Sequence, residues 1–243
     1  MAGEGTRLAL VLVLTAATVH CQYRYPVWEN TEIGAIVGDL RREDEFRNYR
    51  PSQLTLPLNS QHFELVGGII KTIKELDRES FPGCIGAEKC WENMTCLVPV
   101  SGTKVSVKTI SVEIVNVNDN SPTFTSATHE LSLSEDIPVP YLLPIPTATD
   151  RDSPRYGISH YEHNGNPSRF KLVERDRSLY LNIIKELDAE SVTAHYLRVT
   201  AYDGWTPRRS GSLSLTLRVL DSNDNRPRFE SSSNNISLPE DTA

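Results

Sequence analysis

Acidic side chains recur in this sequence where strands are predicted to end. Asp150 and Asp152 flank one residue, Asp203 precedes a glycine, and Asp119 stands between two asparagines. Because strand ends gather at the poles of a β-sandwich, we expect the acids to meet at one junction. The set comprises seven carboxylates: Glu29, Asp77, Glu79, Asp119, Asp150, Asp152 and Asp203.

Such a group of carboxylates cannot stay ionised without a positive partner, and no cluster of Lys or Arg recurs with it. Hard divalent cations take oxygen ligands, and calcium accepts the irregular geometry that magnesium rejects. About three calcium ions would nearly balance the seven negative charges, with Asn side chains and backbone carbonyls completing the ligand set. The competing interpretation is that Asp and Asn near Pro only make turns.

A carboxylate pair in a hydrolase is the enzymatic alternative. Catalysis needs one such pair in a cleft and has no reason to repeat the set along the chain. The sequence also contains no Ser/His/Asp order, His-rich metal motif or Gly-rich phosphate loop. We therefore predict that the protein is not an enzyme.

A repeat of a little over one hundred residues runs through the chain. Asp119 returns as Asp224 within the same Asn-Asp-Asn run (224 − 119 = 105), and Asp77 returns as Asp188 (188 − 77 = 111). Strand-opening glutamates stand at 29, 135 and 240. This period matches one small β-sandwich. We predict a leader at 1–21, repeats at 22–123 and 124–230, and the start of a third at 231–243.

Within each repeat the apolar residues alternate with polar ones. Residues 212–219 place Leu213, Leu215, Leu217 and Val219 on one face, and 195–202 and 131–133 are further predicted strands. In the first repeat the valines at 105–117 alternate with a slip near Thr109. Such alternation is typical of strands with one buried face, and no amphipathic helix is evident. The fold class is therefore all-β, with tandem sandwiches.

Charge and hydropathy restrict the protein's setting. A net charge of −7 argues against nucleic acid as a partner and favours cations. An apolar run after Arg7, with Val19 and Cys21 before a cleavage site, is typical of a secretory signal; a core strand or helix is the alternative. No later apolar stretch is long enough to span a bilayer. The last six residues resemble the opening strand of another domain, so we expect an anchor, if any, beyond Ala243.

Three cysteines follow the leader, so one pair should close in an oxidising compartment and one thiol should remain. Asn93 and Asn235 each begin a glycosylation acceptor sequence.

Taken together, these motifs resemble the cadherin superfamily. Its extracellular repeats carry a strand-opening Glu, Leu-Asp-Arg-Glu, Asp-x-Asn-Asp-Asn, Asp-x-Asp and a later Asp, and the chain matches them in order over nearly all of 22–243. The resemblance implies Ig-like Greek-key repeats in a rod, with about three calcium ions per junction. It adds these ligands to the first site: Asn116, Asn118, Asn120 and Tyr156, the last through its backbone oxygen. It implies a half-site at the next junction: Glu135, Asp188, Glu190, Asp221, Asn223, Asp224 and Asn225.

Within the superfamily the chain is similar to the protocadherins, through its mature start at residues 22–29 and two cysteines just after Leu-Asp-Arg-Glu. This resemblance implies a Cys84–Cys90 disulfide and leaves Cys96 as an extra thiol. Asn116 replaces the usual first Asp of the linker, which predicts weaker binding of one ion. Trp28 is too far from the mature start to act as a strand-swapping anchor, so we expect it to pack.

The resemblance also implies a function. Calcium would stiffen the repeats, and the stiff rod would bind the same or a related cadherin on an opposing cell, outside the plasma membrane. Heterophilic adhesion and a force-bearing extracellular link are the alternatives, and neither a small-molecule substrate nor nucleic acid is expected.

Overall fold

The computed structural model describes residues 23–54, 60–101 and 104–228. The leader predicted at 1–21, the third repeat expected at 231–243 and the acceptor Asn235 lie outside these ranges. The described residues form strands and four short 3-10 helices, without an α-helix. This is the expected all-β class. None of the helices in these ranges has the length and apolar character needed to cross a bilayer.

The chain divides into two compact units. Unit 1 ends at Asn118 and also includes Asp152–Pro154, whereas unit 2 comprises Asp119–Arg151 and the chain from Arg155 onward.

Unit 1 is a two-sheet sandwich. Its strands are β1 (Tyr23–Trp28), β2 (Ile36–Asp39), β3 (Phe63–Val66), β4 (Ile69–Thr72), β5 (Trp91–Ser101) and β6 (Lys104–Val115). One sheet has the order β1-β6-β5, with β1 parallel to β6, and the other has the order β2-β4-β3. Side chains from both sheets form one core, which includes Val27, Ile114, Phe63 and Ile70. The 3-10 helices are Leu40–Arg42, Asp44–Phe46, Pro51–Gln53 and Arg78–Ser80.

Unit 2 repeats this plan. Its strands are β7 (Thr128–Ser134), β8 (Tyr141–Ile145), β9 (Ile158–His163), β10 (Phe170–Arg175), β11 (Ser178–Ile183), β12 (Ala194–Asp203) and β13 (Ser210–Leu220). One sheet has the order β7-β13-β12-β9, with β7 parallel to β13, and the other has the order β10-β11-β8. The core contains residues from both sheets.

The alternation predicted for residues 212–219 is confirmed, since the four apolar side chains of β13 are buried. In β6 the expected slip near Thr109 is wrong, because pairing with β5 stays in register there. Val107 simply lies on the outer face and is 62% exposed, whereas Ile110, Val112 and Ile114 face the core.

The packing role expected for Trp28 is also wrong. Strand β1 alternates so that Tyr23 and Val27 face the core, and Trp28 is 56% exposed. The strand's period of two therefore decides its direction: a residue next to a core position points outward.

Candidate metal centres

Glu29 directly follows β1 and is buried in unit 1. Its Oε2 accepts a hydrogen bond from the backbone N–H of Arg78 at 2.9 Å. Its Oε1 accepts from the backbone N–H of Val117 and from Nδ2 of Asn116, the latter at 3.0 Å. Backbone donors from two separate segments therefore fix both oxygens of this carboxylate.

Glu79 reaches the same place through local chain geometry. Leu76 is fully buried and anchors the segment, and Asp77 caps the 3-10 helix Arg78–Ser80 by accepting from the N–H of Glu79 at 3.1 Å. The short helix then turns the Arg78 and Glu79 side chains into the unit, where both are buried. Asp77 thus has a structural role besides any role as a ligand.

Glu29, Glu79 and Asp152 form the first acid cluster. Each offers a carboxylate oxygen, these oxygens lie within 4.8 Å of one another, and all three residues are buried. The pKa of Glu79 is raised to about 7, first by burial and then by the charge of Glu29, while the hydrogen bond from Arg78 lowers it. The negative charge of Asp152 adds to the increase. This raised pKa shows that the protein's own groups do not fully compensate the acids.

Asn116 faces these acids through its amide nitrogen. Nδ2 donates to Glu29 at 3.0 Å and to Asp152 Oδ1 at 3.2 Å, while Oδ1 accepts from the backbone N–H of Ser153. The amide therefore bridges two carboxylates as a donor. Ligation through its oxygen, which the sequence predicts, requires the amide to turn over and stays a prediction.

The remaining predicted ligands around residues 118–120 and 150 lie in segments on either side of the division between the units. Asn118 ends the first segment of unit 1, and Asp119, which is exposed, begins unit 2 and accepts from Asn120 Nδ2 at 2.8 Å. Asp150 precedes the loop of Asp152 and also belongs to unit 2.

Asp203 and Tyr156 are buried within unit 2. Asp203 Oδ1 accepts from the backbone N–H of Arg209 at 3.0 Å, which closes the loop after β12. The Tyr156 ring packs edge-on against Trp205, with ring centroids 4.9 Å apart, and the Arg155 guanidinium lies over both rings. A backbone role for Tyr156 is compatible with this, because its side chain is engaged in packing.

A second acid cluster, in unit 2, consists of Glu135, Glu190 and Asp221, whose carboxylate oxygens also lie within 4.8 Å of one another. Glu135 is held as Glu29 is: Oε2 accepts from the N–H of Ala189 at 2.7 Å, and Oε1 from the N–H of Ser222 at 2.8 Å. These backbone bonds lower the pKa of Glu135. The hydroxyl and N–H of Ser191 lower the pKa of Asp188.

The second cluster borders a cavity of about 500 Å³. Asp221 Oδ1 accepts from the N–H of Asn223 at 2.6 Å, and Asn223 has a φ of 56°, a left-handed conformation that Asn tolerates well. The cavity is lined mainly by oxygen-bearing side chains, among them Glu135, Asp188, Glu190, Ser222, Asp224 and Asn225. Five of the seven residues predicted for the half-site therefore line one cavity. The other two are Asp221, which belongs to the second cluster, and Asn223, whose backbone N–H donates to it.

The structure joins Cys84 and Cys90 in a disulfide, the pairing that the resemblance implies, and buries Cys96 in β5. Asn93 is exposed on β5, and its Oδ1 accepts from the Ser111 hydroxyl. Sequence reasoning missed the buried guanidinium of Arg78 and the serine donor at 222. Arg78 could have been found, because a cation inside Leu-Asp-Arg-Glu stands beside two acids.

Comparison with known proteins supports the protocadherin resemblance of the sequence motifs. No protein-family model matches the chain. Human protocadherin gamma-A12 is 33% identical over 255 aligned residues, and human protocadherin gamma-C5 is 31% identical over 254. Each alignment covers 99% of this chain and 26% of the relative, so the chain spans about a quarter of the length of these relatives.

Solved structures are similar as well. The crystal structure of protocadherin gamma C5 EC1-3 matches with a TM-score of 0.74 and 30% identity, covering 91% of this chain and 73% of that one. Mouse cadherin-23 EC22-24 matches with a TM-score of 0.61, covering 87% of this chain and 67% of that one; at 21% identity it supports the fold alone.

Proposed function

The chain belongs to the protocadherin family, and from that premise we propose that it mediates calcium-dependent cell-cell adhesion through cadherin repeats at 22–123 and 124–230. The observation that carries this proposal is the pair of matched acid clusters. Glu29 and Glu135 are each held by two backbone N–H groups from corresponding positions of the repeat. A chain that holds a buried glutamate in the same way twice, each time beside further acids, uses this arrangement for a role that the repeats share.

The donor chemistry fits calcium. The first cluster offers carboxylate oxygens, and the raised pKa of Glu79 indicates that a further positive charge would be favourable there. Oxygen-only ligand sets of irregular geometry suit calcium better than zinc or magnesium. When bound, calcium supplies the positive charge that keeps these carboxylates ionised and close together.

The ligands that we propose for the first site come from both sequence repeats: Glu29, Asp77, Glu79, Asn116, Asn118, Asp119, Asn120, Asp150, Asp152, Tyr156 and Asp203. Those for the next site are Glu135, Asp188, Glu190, Asp221, Asn223, Asp224 and Asn225. About three ions per site would balance the first set. Because one set joins acids from consecutive repeats of the sequence, bound ions would stiffen the chain.

A stiff chain presents its surface to a partner with little loss of conformational freedom. We propose that the partner is a second copy of the same cadherin on an opposing cell, outside the plasma membrane, with the chain secreted through its leader and anchored by a segment beyond these residues. Adhesion to an unlike chain is the competing outcome. Two equivalent clusters favour ion binding over a hydrolase, since a hydrolase would need one pair of acids.

The proposal is tested by calcium titration of the purified chain, followed by thermal unfolding and by protease cleavage between residues 116 and 124. We expect stabilisation at millimolar calcium, protection of this segment, and loss of both effects in Asp152→Asn. An unchanged melting temperature would overturn the calcium site.

Adhesion is tested separately with beads coated with the chain, alone and extended by further repeats. Calcium-dependent aggregation of identically coated beads supports self-recognition. If only beads that carry different cadherins aggregate, the partner is an unlike chain.

A further inference from the structure

Arg78 is an unusual residue to find fully buried, because its side chain is only 1% exposed. Its guanidinium makes three hydrogen bonds. Nη1 donates to Glu79 Oε1 at 3.2 Å and to the carbonyl of Cys84 at 2.9 Å, and Nη2 donates to the carbonyl of Ala87 at 2.5 Å. Nη1 therefore contacts both the first acid cluster and the loop that the Cys84–Cys90 disulfide closes, and Nη2 contacts the loop.

The loop presents these carbonyls from a fixed position. Cys84 and Cys90 are both buried, and their Cα atoms are 5.1 Å apart. At one end the Cys84 N–H donates to the carbonyl of Phe81 at 3.2 Å, and at the other the carbonyl of Cys90 accepts from the N–H of Ile114 in β6 at 3.0 Å. The disulfide and these hydrogen bonds hold both ends of the loop, and Arg78 contacts both the loop and Glu79.

Unit 2 provides an internal comparison. At the position of Arg78 it has Ala189. The backbone N–H of Ala189 donates to Glu135, just as the backbone N–H of Arg78 donates to Glu29. The backbone hydrogen bond to the leading glutamate therefore does not need the guanidinium. No cysteine follows Cys96 in the chain, so unit 2 lacks both the side chain and the disulfide loop. The guanidinium and the loop occur together in one unit and are both missing from the other.

We propose that Arg78 is a positioning residue that connects the disulfide loop to Glu79, so that the disulfide sets the calcium affinity of the first cluster and not of the second. This inference rests on the calcium site proposed above. Partners that orient a metal ligand change metal affinity when they are removed. Arg78 is such a partner, since its Nη1 donates a charge-assisted hydrogen bond to Glu79 Oε1 at 3.2 Å.

The charge of Arg78 complicates a simple deletion. Removing a cation next to a calcium site favours calcium electrostatically, whereas losing the positioning of Glu79 disfavours it, so the sign for Arg78→Ala is not decisive. The disulfide can be removed without changing any charge near the acids. The decisive quantity is therefore the coupling between the two changes, measured by a double-mutant cycle.

The experiment measures calcium binding by isothermal titration calorimetry in a chain carrying Glu190→Gln and Asp221→Asn, so that the heat comes from the first cluster. Removing the disulfide with Cys84→Ala and Cys90→Ala should weaken binding by about 10-fold. In an Arg78→Ala chain the same two substitutions should change the affinity by less than about twofold, because the connection is already broken.

Controls separate positioning from loss of fold. Near-ultraviolet circular dichroism without calcium identifies a temperature at which all proteins in the cycle are folded. In a chain carrying Glu29→Gln, removing the disulfide should leave the affinity of the second cluster unchanged. If the disulfide-free chain does not fold, Gly86→Val replaces it: Gly86 lies in the loop with a φ of 62°, so valine distorts the loop while the disulfide stays intact. If Arg78→Ala does not fold, Arg78→Lys replaces it, since lysine keeps the charge but lacks the second terminal nitrogen that donates to the carbonyl of Ala87.

Equal losses of affinity with and without Arg78 would refute the connection, and so would a disulfide-free chain that binds calcium as tightly as the parent. A parent chain that shows no calcium binding at either cluster would instead overturn the proposed function, an outcome distinct from both.

Discussion

Glu79→Gln gives the sharpest test of the electrostatics in the first cluster. The pKa of Glu79 is raised from 4.5 to about 7, mainly by burial and by the charge of Glu29. For a carboxyl whose pKa is raised on folding, the folded state is disfavoured when the group ionises. The calcium-free protein should therefore lose stability as the pH rises from the unfolded pKa to the folded one.

The magnitude follows from the shift. A rise of the pKa from 4.5 to about 7 corresponds to roughly 3 kcal/mol, most of which develops between pH 5 and pH 8. Glutamine keeps the shape of the side chain and an oxygen that Arg78 can contact, but it does not ionise. The stability of Glu79→Gln relative to the parent should thus increase by about 2–3 kcal/mol over that interval.

The assay is urea unfolding in the presence of a calcium chelator at about pH 5 and about pH 8, with Glu64→Gln as the control. Glu64 lies exposed on β3, so its substitution should leave the pH dependence unchanged. Calcium should stabilise the parent more than the variant at pH 8, because the variant has lost a charged ligand. A stability difference between Glu79→Gln and the parent that is the same at both pH values would refute the reasoning.

Three further predictions concern other parts of the two units. Asn116→Asp replaces a hydrogen-bond donor between two acids with a third acid. It should therefore lower the melting temperature measured with a chelator and tighten the calcium binding measured by calorimetry. Weaker calcium binding would contradict this prediction. Gly211→Ala would place a methyl group 1.9 Å from the carbonyl oxygen of Pro122, so urea unfolding should show that it destabilises unit 2 by about 1–3 kcal/mol. The control is Gly204→Ala, whose new methyl group would have its nearest contact at 3.6 Å and should destabilise the unit less. Equal losses of stability in the two variants would argue against the close approach at Gly211. Glu135 has a lowered pKa, so its ionised form stabilises the fold above the unfolded pKa, and this stabilisation is lost as the pH falls through the folded pKa. In protein treated with a chelator, Glu135→Gln should therefore reduce the loss of stability at acid pH. An unchanged dependence of stability on pH would count against the backbone hydrogen bonds to Glu135.

Sequence patterns predicted the all-β class and the members of the acid clusters because both depend on periodic features. Alternation in β13 identifies its buried face, and the repeated motif brings Glu29 and Glu135 to equivalent positions. The same reasoning failed for Trp28, since residue type suggested burial while the strand's period of two directs the ring outward. Size and hydrophobicity are weaker guides to direction than register with a neighbouring strand.

The orientation of the Asn116 amide could not be predicted from the sequence, for a different reason. An amide can present either a donor or an acceptor, and its choice depends on which backbone group is near its other end. Here the N–H of Ser153 takes the oxygen, which turns the nitrogen toward Glu29 and Asp152. That neighbour is 37 residues away in the chain, so no local pattern contains it.

The two clusters share backbone hydrogen bonds, which substitutions rarely remove, and differ in side chains, which a single substitution changes. Both hold their leading glutamate with backbone N–H groups, which every residue except proline provides, so this grip survives most substitutions. Two of the differences are side chains that donate to acids: Arg78 and Asn116 do so in the first cluster, where Ala189 and Asp221 stand in the second. In the ion sites proposed here, a shared backbone arrangement would therefore hold each cluster, and individual side chains would adjust the response of one cluster without disturbing the other.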